Sequence, residues 1–331
     1  MGSTSTRVLS GDIGGTHTRL AIFLVSGSRI QVEYEHHYAS STFAAFDDLL
    51  DEFLNKTNVP ERAGFGVAGP VLARQARVTN LPWHIDADAL QSRFGFKSCL
   101  LLNDLEAVGS GLPALEPGDF YTLHQGNPKA SGNIAVIAAG TGLGEAGMYW
   151  NGLQHLPYAT EGGHTSFSPG NDKEIELLRH LQKRHGHVSW ERIVSGPGLV
   201  DLYEFHCKYH HVSLPDWFHA ERQTGNAAAA ISSAALNAQD TSCVETLDWF
   251  VRLYGAEAGN LALKTMSHGG LFVGGGIAPK ILPSLKKGNF IEAFFSKGRM
   301  RSLLEAMPVR VILNDRVGLY GPALRVSTLA P

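Results

Sequence analysis

The chain predicts an α/β fold in two related domains, on three observations. At 331 residues it exceeds the size at which one core usually stops growing, so about two domains is the natural division. An order of strand, glycine turn, strand, strand begins at Arg7 and begins again at Ile134. Amphipathic helical stretches follow each copy, as α/β layering requires.

The first copy joins the strand Arg7 to Ser10 to the strand Arg19 to Leu24 through Gly11-Asp12-Ile13-Gly14-Gly15-Thr16-His17-Thr18. Glycines without Cβ atoms permit positive φ and let N–H groups and the Thr16 and Thr18 hydroxyls approach a phosphate. Asp12, ending the strand, can hold a hydrated Mg²⁺ beside it. A tight hairpin with no ligand is the other reading of the same residues. Arg29 to His37 adds a third strand, in which Ile30, Val32 and Tyr34 alternate with polar neighbours. Phe43, Phe46, Leu49, Leu50, Phe53 and Leu54 then recur at helical spacing, and Asp47, Asp48, Asp51 and Glu52 form a solvated face rather than a metal site.

Arg62 to Ala68 reads as a buried strand stopped by Gly69-Pro70. In the loop-like Val78 to Ile85 stretch, Asn80 and Trp83 either face a polar ligand or serve as a turn residue and a core indole. Ser98 to Leu102 is an apolar strand ending in Asn103-Asp104, with a helix from Leu105. A carboxylate there either caps that helix or stands where α/β enzymes place reacting groups. Pro113, Pro117 and Gly118 mark a boundary.

In the second copy, strand Ile134 to Ala139 meets the turn Gly140-Thr141-Gly142-Leu143-Gly144, then strands Glu145 to Trp150 and Leu153 to Tyr158. Two such units suggest related domains closing over one ligand. In Thr160-Glu161-Gly162-Gly163-His164 the carboxylate and imidazole can bond neighbouring hydroxyls of a polyol, and no third metal ligand stands nearby. A helix through Ile175, Leu178 and Leu181 is expected over Asp172 to Arg184. Ser195-Gly196-Pro197-Gly198 reads as a rigid turn that orients Glu191, whose alternative is a solvated salt bridge. Leu199 to Thr265 is helical text. A third strand-to-glycine turn, Gly270 to Pro279, has Pro279 set to open a helix, and a late strand at Val309 to Leu313 precedes a final helix, Gly318 to Val326.

A net charge of −3, from 28 basic and 31 acidic residues, argues against a nucleic-acid-binding surface and leaves a small-molecule site as the default. Cys99, Cys207 and Cys243 have no zinc or disulfide spacing and read as buried reduced thiols. No apolar run reaches the roughly 18 residues of a membrane span, so a cytoplasmic protein is expected. Met1-Gly2-Ser3-Thr4-Ser5-Thr6 fits a loose myristoylation pattern and reads better as a polar start.

Taken together, Gly11 to Thr16, Leu102-Asn103-Asp104-Leu105-Glu106-Ala107, Ala139 to Gly144, Glu161 to His164, Ser195 to Gly198 and Gly274 to Ile277 resemble the ATP-dependent glucokinases of bacterial type, within the hexokinase, actin and Hsp70 superfamily. The resemblance covers nearly the whole chain. It implies two ribonuclease-H-like (actin-like ATPase) domains with a cleft between them, a small one of residues 1–112 plus 316–331 and a large one of 113–315. It implies that glucose is phosphorylated at its 6-hydroxyl, the entry step of glycolysis, by Mg-ATP. Asp104 would be the general base, and Asn80, Asn103, Glu161, His164 and Glu191 would hold the sugar with it. Asp12, Gly14, Gly15 and Thr16 would cradle the ATP phosphates with Gly140, Thr141, Gly142 and Gly144. Gly275 and Gly276 would lie near the adenosine, and Asp12 would hold Mg²⁺ through water. A homodimer without nucleic-acid or membrane partners is implied too.

His17 departs from the family, where another polar residue, often Asn, is usual. Relatives that carry a zinc-binding cysteine cluster are disfavoured, because no cysteine lies within forty residues of His164. Two rivals share the fold. A sugar-responsive transcription regulator needs a helix-turn-helix, for which a first strand at Arg7 leaves no room. An actin-like filament ATPase would bind no sugar at Asp104 and Glu161.

Overall fold

The computed structural model describes residues 5–329, so the Met1 to Thr4 part of the N-terminal pattern lies outside the described residues. Two compact units result: residues 5–119 with 154–159 and 314–329, and residues 120–153 with 160–313.

The first unit carries β1 (Thr6–Ile13), β2 (His17–Ser26), β3 (Arg29–Ala39), β4 (Arg62–Val67), β5 (Val71–Leu72), β6 (Gln75–Arg77), β7 (His84–Asp86) and β8 (Ser98–Asn103). Its main sheet runs β3-β2-β1-β4-β8: the meander is antiparallel, while β1, β4 and β8 are parallel. One face packs Leu9, Ile13, Leu20, Ile22 and Phe65 against Phe46, Leu49, Leu50 and Phe53 of helix Phe46–Leu54. On the acidic side of that helix Asp47 and Asp51 pair with Arg93, as a solvated face should. The other sheet face packs Val8, Phe23 and Val25 against Leu319, Ala323 and Val326 of the final helix, Val317–Ser327. Backbone approach is close here. A Cβ on Gly64 would stand 2.6 Å from the Pro322 carbonyl oxygen, and one on Gly321 would run into the carbonyl of Ala107. Arg62 ties the end of the helix, donating to the carbonyls of Val326 at 3.1 Å and Ser327 at 3.0 Å.

One expectation changes in this unit, and one alternative left open at Trp83 is decided. The Val78 to Ile85 stretch is partly regular, since β7 joins the small antiparallel sheet β5-β6-β7. Trp83 is a core residue, 2% exposed, its indole N–H donating to the Phe43 carbonyl at 3.2 Å.

The second unit carries β9 (Phe120–His124), β10 (Ile134–Ala139), β11 (Leu143–Trp150), β13 (Gly270–Gly274) and β14 (Val309–Ile312); β12 (His155–Thr160), which follows β11 in the chain, belongs to the first unit but for Thr160. Here β10 is antiparallel to β11 and parallel to β13, as β1 is to β2 and β4. The repeat read from the sequence is therefore a repeat of topology. β13 pairs in parallel with β14, and β9 adds an antiparallel edge. Helices Asp172–His185, Gly196–Tyr209, Asp216–Thr224, Ala227–Leu236 and Thr241–Thr265 supply the core that covers this sheet.

Three expectations need correction here. Helix Asp172–His185 buries Glu174, Leu177 and Leu181 and leaves Ile175 exposed, because Glu174 is held by Arg252. Ser195 to Gly198 is not a turn but a helix start, in which the Ser195 hydroxyl accepts the Gly198 N–H at 3.1 Å and Pro197 occupies the first turn. Pro279 lies within a turn, and the short helix begins at Leu282 with Pro283 in its first turn.

The three cysteines are free and buried, and burial pushes the Cys99 thiol up to about 12. Among the described residues no helix is long and apolar enough to cross a membrane. His206, His210 and Glu245 approach one another closely enough to share a metal ion. The Lys173 ammonium already stands 3.5 Å from a nitrogen of each imidazole and 4.5 Å over the Trp249 ring, so the cation in that cluster is the protein's own.

Candidate functional site

The sequence-nominated residues form one group in each unit. In the first, β1, β4 and β8 end side by side, with Ile13 beside Val67 and Val67 beside Asn103. Asp12 and Asp104 thus stand at the carboxyl ends of parallel strands two strand spacings apart, roughly 10 Å. Asn103, not Asp104, caps helix Asp104–Gly111. Its side-chain oxygen accepts the Leu105 N–H at 3.0 Å, its amide donates to the Gly69 carbonyl at 3.2 Å, and Glu106 accepts its backbone N–H at 3.0 Å. Asp104 is the first helical residue, half-buried, and its Oδ1 also accepts the Leu105 N–H at 3.0 Å, which orients the carboxyl plane.

The Gly14-Gly15 turn closes through Gly14 N–H to the His17 carbonyl at 3.0 Å. Neither glycine has a positive φ, contrary to the expectation. Gly15 is required by approach instead, since a Cβ there would lie 2.5 Å from the Thr79 carbonyl oxygen. Thr16 is exposed at the tip, as is the side chain of His17. Thr18, expected to face phosphate, is fully buried and bonded to Ser40 at 2.9 Å. The Ser40 hydroxyl in turn donates to the Gly14 carbonyl at 2.8 Å, a strut with no signal in sequence spacing. Ser40→Ala would leave that carbonyl and the Thr18 hydroxyl without their buried partner, and is expected to cost about 1–3 kcal/mol in chemical denaturation. Asn80 is exposed on the neighbouring turn in left-handed conformation, φ 64°. Asp12 lies against Gly318, where a Cβ would come within 3.3 Å of its Oδ2. Burial raises its carboxyl above the ordinary range, while Arg19, itself paired to Asp315 at 3.0 Å, pulls it back.

In the second unit Glu191 joins two motifs. Its Oε2 accepts the Leu143 N–H of the glycine turn at 3.0 Å, and only a glycine at 142 leaves room for that carboxylate. The Ser195 hydroxyl donates to the Glu191 carbonyl at 2.7 Å, and Gly196 N–H reaches the Gly140 carbonyl at 2.9 Å. The imidazole of His164 lies between two carboxylates, Nε2 3.9 Å from Glu161 and Nδ1 3.8 Å from Glu191. Glu161 and His164 are both exposed, as a ligand requires. His187, which the sequence reading passed over, reaches the His164 carbonyl at 3.1 Å through Nε2. Thr141 is exposed beside Gly140, Gly142 and Gly144. Gly275 has φ 80° and packs against the Ala139 carbonyl, and space is open around the Cα of Gly276. A groove of about 560 Å³, lined in part by Arg252, Asn260 and Lys297, contains none of these residues.

The glucokinase family model matches residues 9–329. A glucokinase of Trichormus variabilis is 42% identical over 98% of this chain and 100% of its own. The solved glucokinase of an Antarctic psychrotroph is 31% identical with a TM-score of 0.85, covering 98% of this chain and 99% of that one. The fold is shared with the glucokinase of Balamuthia mandrillaris in complex with glucose, at a TM-score of 0.79 and 21% identity, over 98% of this chain and 94% of that one. With the repeated strand topology and all six motifs in place along its length, the chain belongs to the glucokinase family.

Proposed function

We propose that the protein transfers the γ-phosphoryl group of ATP to the 6-hydroxyl of D-glucose, giving glucose 6-phosphate and ADP. The observation that carries this reading is a full-length family match in which Asp104 stands at the carboxyl end of β8 with its carboxyl oriented and Asn103 doing the capping. Asp104 takes the proton of the 6-hydroxyl as that oxygen bonds to the γ-phosphorus and the bond from phosphorus to the ADP oxygen breaks. Asn103, Glu161, His164 and Glu191, with Asn80, hold the other hydroxyls; carboxylates accept from hydroxyls, and an amide or imidazole can donate or accept. The N–H groups of the Asp12 to Thr16 and Gly140 to Gly144 turns take the phosphates, and Gly275-Gly276 leaves the adenosine room against main chain.

A divalent cation fits beside Asp12, a carboxyl driven toward neutrality by burial, with space kept by Gly318. Bound through water there, Mg²⁺ would supply neutralising charge on the phosphates. Residues 1–112 with 316–331 as the small domain and 113–315 as the large one, a homodimer, a cytoplasmic place and a role at the start of glycolysis belong to the same proposal.

Glucose tests it directly, because a ligand of the folded state alone raises stability by RT ln(1 + [L]/Kd). At a hundredfold excess over Kd this is about 2.7 kcal/mol, and a rise of several degrees in Tm is expected with glucose. No rise with any hexose, or no ADP formed in a coupled assay over a hexose panel, overturns the reading.

A further inference from the structure

Beneath the Glu161 to His164 turn lies a pair of carboxyls that the roles above do not use. Glu145 on β11 is 2% exposed, and Glu257 on helix Thr241–Thr265 is 0% exposed. The two face each other; Oε1 of Glu145 receives no hydrogen bond, and Oε1 of Glu257 has only the Lys264 ammonium at ion-pair distance. Two buried carboxylates in contact repel, whereas one proton held between them satisfies both oxygens. The charged neighbours favour the Glu257 side. Lys264 Nζ is 3.5 Å from Glu257 Oε1, and Asn260 donates to Glu257 Oε2 at 2.7 Å. Lys297 also faces Glu257, and its ammonium is engaged by Asn260 Oδ1 at 2.6 Å and the Ala256 carbonyl at 2.8 Å. The Tyr254 hydroxyl, which Glu145 acts upon, accepts the Ala139 N–H at 3.1 Å. Burial raises both carboxyls above the ordinary range; Lys264 and Asn260 pull Glu257 back, and burial with Glu257 beside it pushes Glu145 up to about 8, so Glu145 holds the shared proton.

The same side chain is the floor of the turn. Its Oε2 occupies the space a Cβ on Gly162 would need, and Gly163 is pressed as tightly onto the Leu143 carbonyl. Thr160 links the layers, donating to the Glu145 carbonyl at 2.9 Å and accepting the Gly162 N–H at 3.2 Å. We propose that Glu145 is a positioning residue: sharing a proton with Glu257, it holds the Gly162-Gly163 turn so that Glu161 and His164 meet the sugar, and loss of that proton in alkaline solution releases the turn and weakens glucose binding. This rests on the reading of Glu161 and His164 as sugar ligands.

Glucose binding measured by calorimetry from pH 6 to pH 9 tests it, on the full chain and on Glu145→Gln and Glu257→Gln separately. The wild-type Kd is expected to rise by about tenfold between pH 7 and pH 9, with its midpoint near 8. Each variant, left with at most one ionisable member of the pair, is expected to change less than about twofold. Thermal denaturation supplies a second readout, which reports the buried proton itself apart from any effect on glucose. A carboxyl whose folded pKa is raised loses stability as pH climbs from its unfolded value toward the folded one. The Tm advantage of Glu145→Gln over wild type is thus expected to widen from about pH 5 to about pH 8 and then level. Identical pH curves in wild type and whichever variants fold overturn the inference while leaving the glucose site intact. Absence of glucose binding by the wild type at pH 7 overturns both.

Discussion

Asp104→Asn is expected to lower kcat by at least ~10²-fold, the usual scale for losing a general base, while the Kd for glucose stays within about threefold. Asparagine keeps the size of the side chain, and its oxygen can still accept the Leu105 N–H that orients Asp104. The helix keeps its cap as well, since the capping oxygen belongs to Asn103. What is lost is the basic oxygen toward which the 6-hydroxyl proton moves. Single-turnover kinetics with calorimetric glucose binding separates the two quantities. Undiminished turnover removes Asp104 from the chemistry, and a large loss of binding alone makes it a sugar-holding group instead.

Gly321→Ala is expected to destabilise the protein by about 3 kcal/mol and to lower activity although it lies far along the chain from every nominated residue. The added methyl would enter the Ala107 carbonyl and stand 3.0 Å from the Gly111 nitrogen, both backbone atoms of helix Asp104–Gly111. No rotamer relieves such a contact, so helix Val317–Ser327 and helix Asp104–Gly111 must part. The second of these carries Asp104 at its start, and a shift of even a fraction of an ångström misplaces a base. Urea denaturation and kcat measured well below the transition report the two effects. Gly118→Ala, exposed and with open space around it, is the control expected to change stability by less than about 0.5 kcal/mol. Equal stabilities for the two variants would mean that this helix contact yields easily.

These contacts also mark where sequence reading stops. The repeated strands were legible because alternation and glycine turns are local, and so was helix Phe46–Leu54, whose apolar face is uninterrupted. Strands β5 to β7 were not, being two or three residues long, too short to show a period. The inward face of helix Asp172–His185 was misread because a charged residue, Glu174, is buried there by its pairing with Arg252, which apolar spacing cannot announce. At the site, residue types and motifs were visible, yet their supports were not. Ser40 under Gly14, Thr79 against Gly15 and Glu257 against Glu145 are all remote in sequence from what they touch. Asn103 and Asp104 show the same limit at closer range: the motif named both, and only the hydrogen bonds told the cap from the side chain beside it.

The cover of the first sheet has a consequence for biosynthesis. Val8, Phe23 and Val25 leave the ribosome roughly 300 residues before Leu319, Ala323 and Val326, which shield them. At ordinary elongation rates the nascent chain carries that oily surface unprotected for roughly 15–60 s. It is a natural stretch for a chaperone to occupy until helix Val317–Ser327 has emerged.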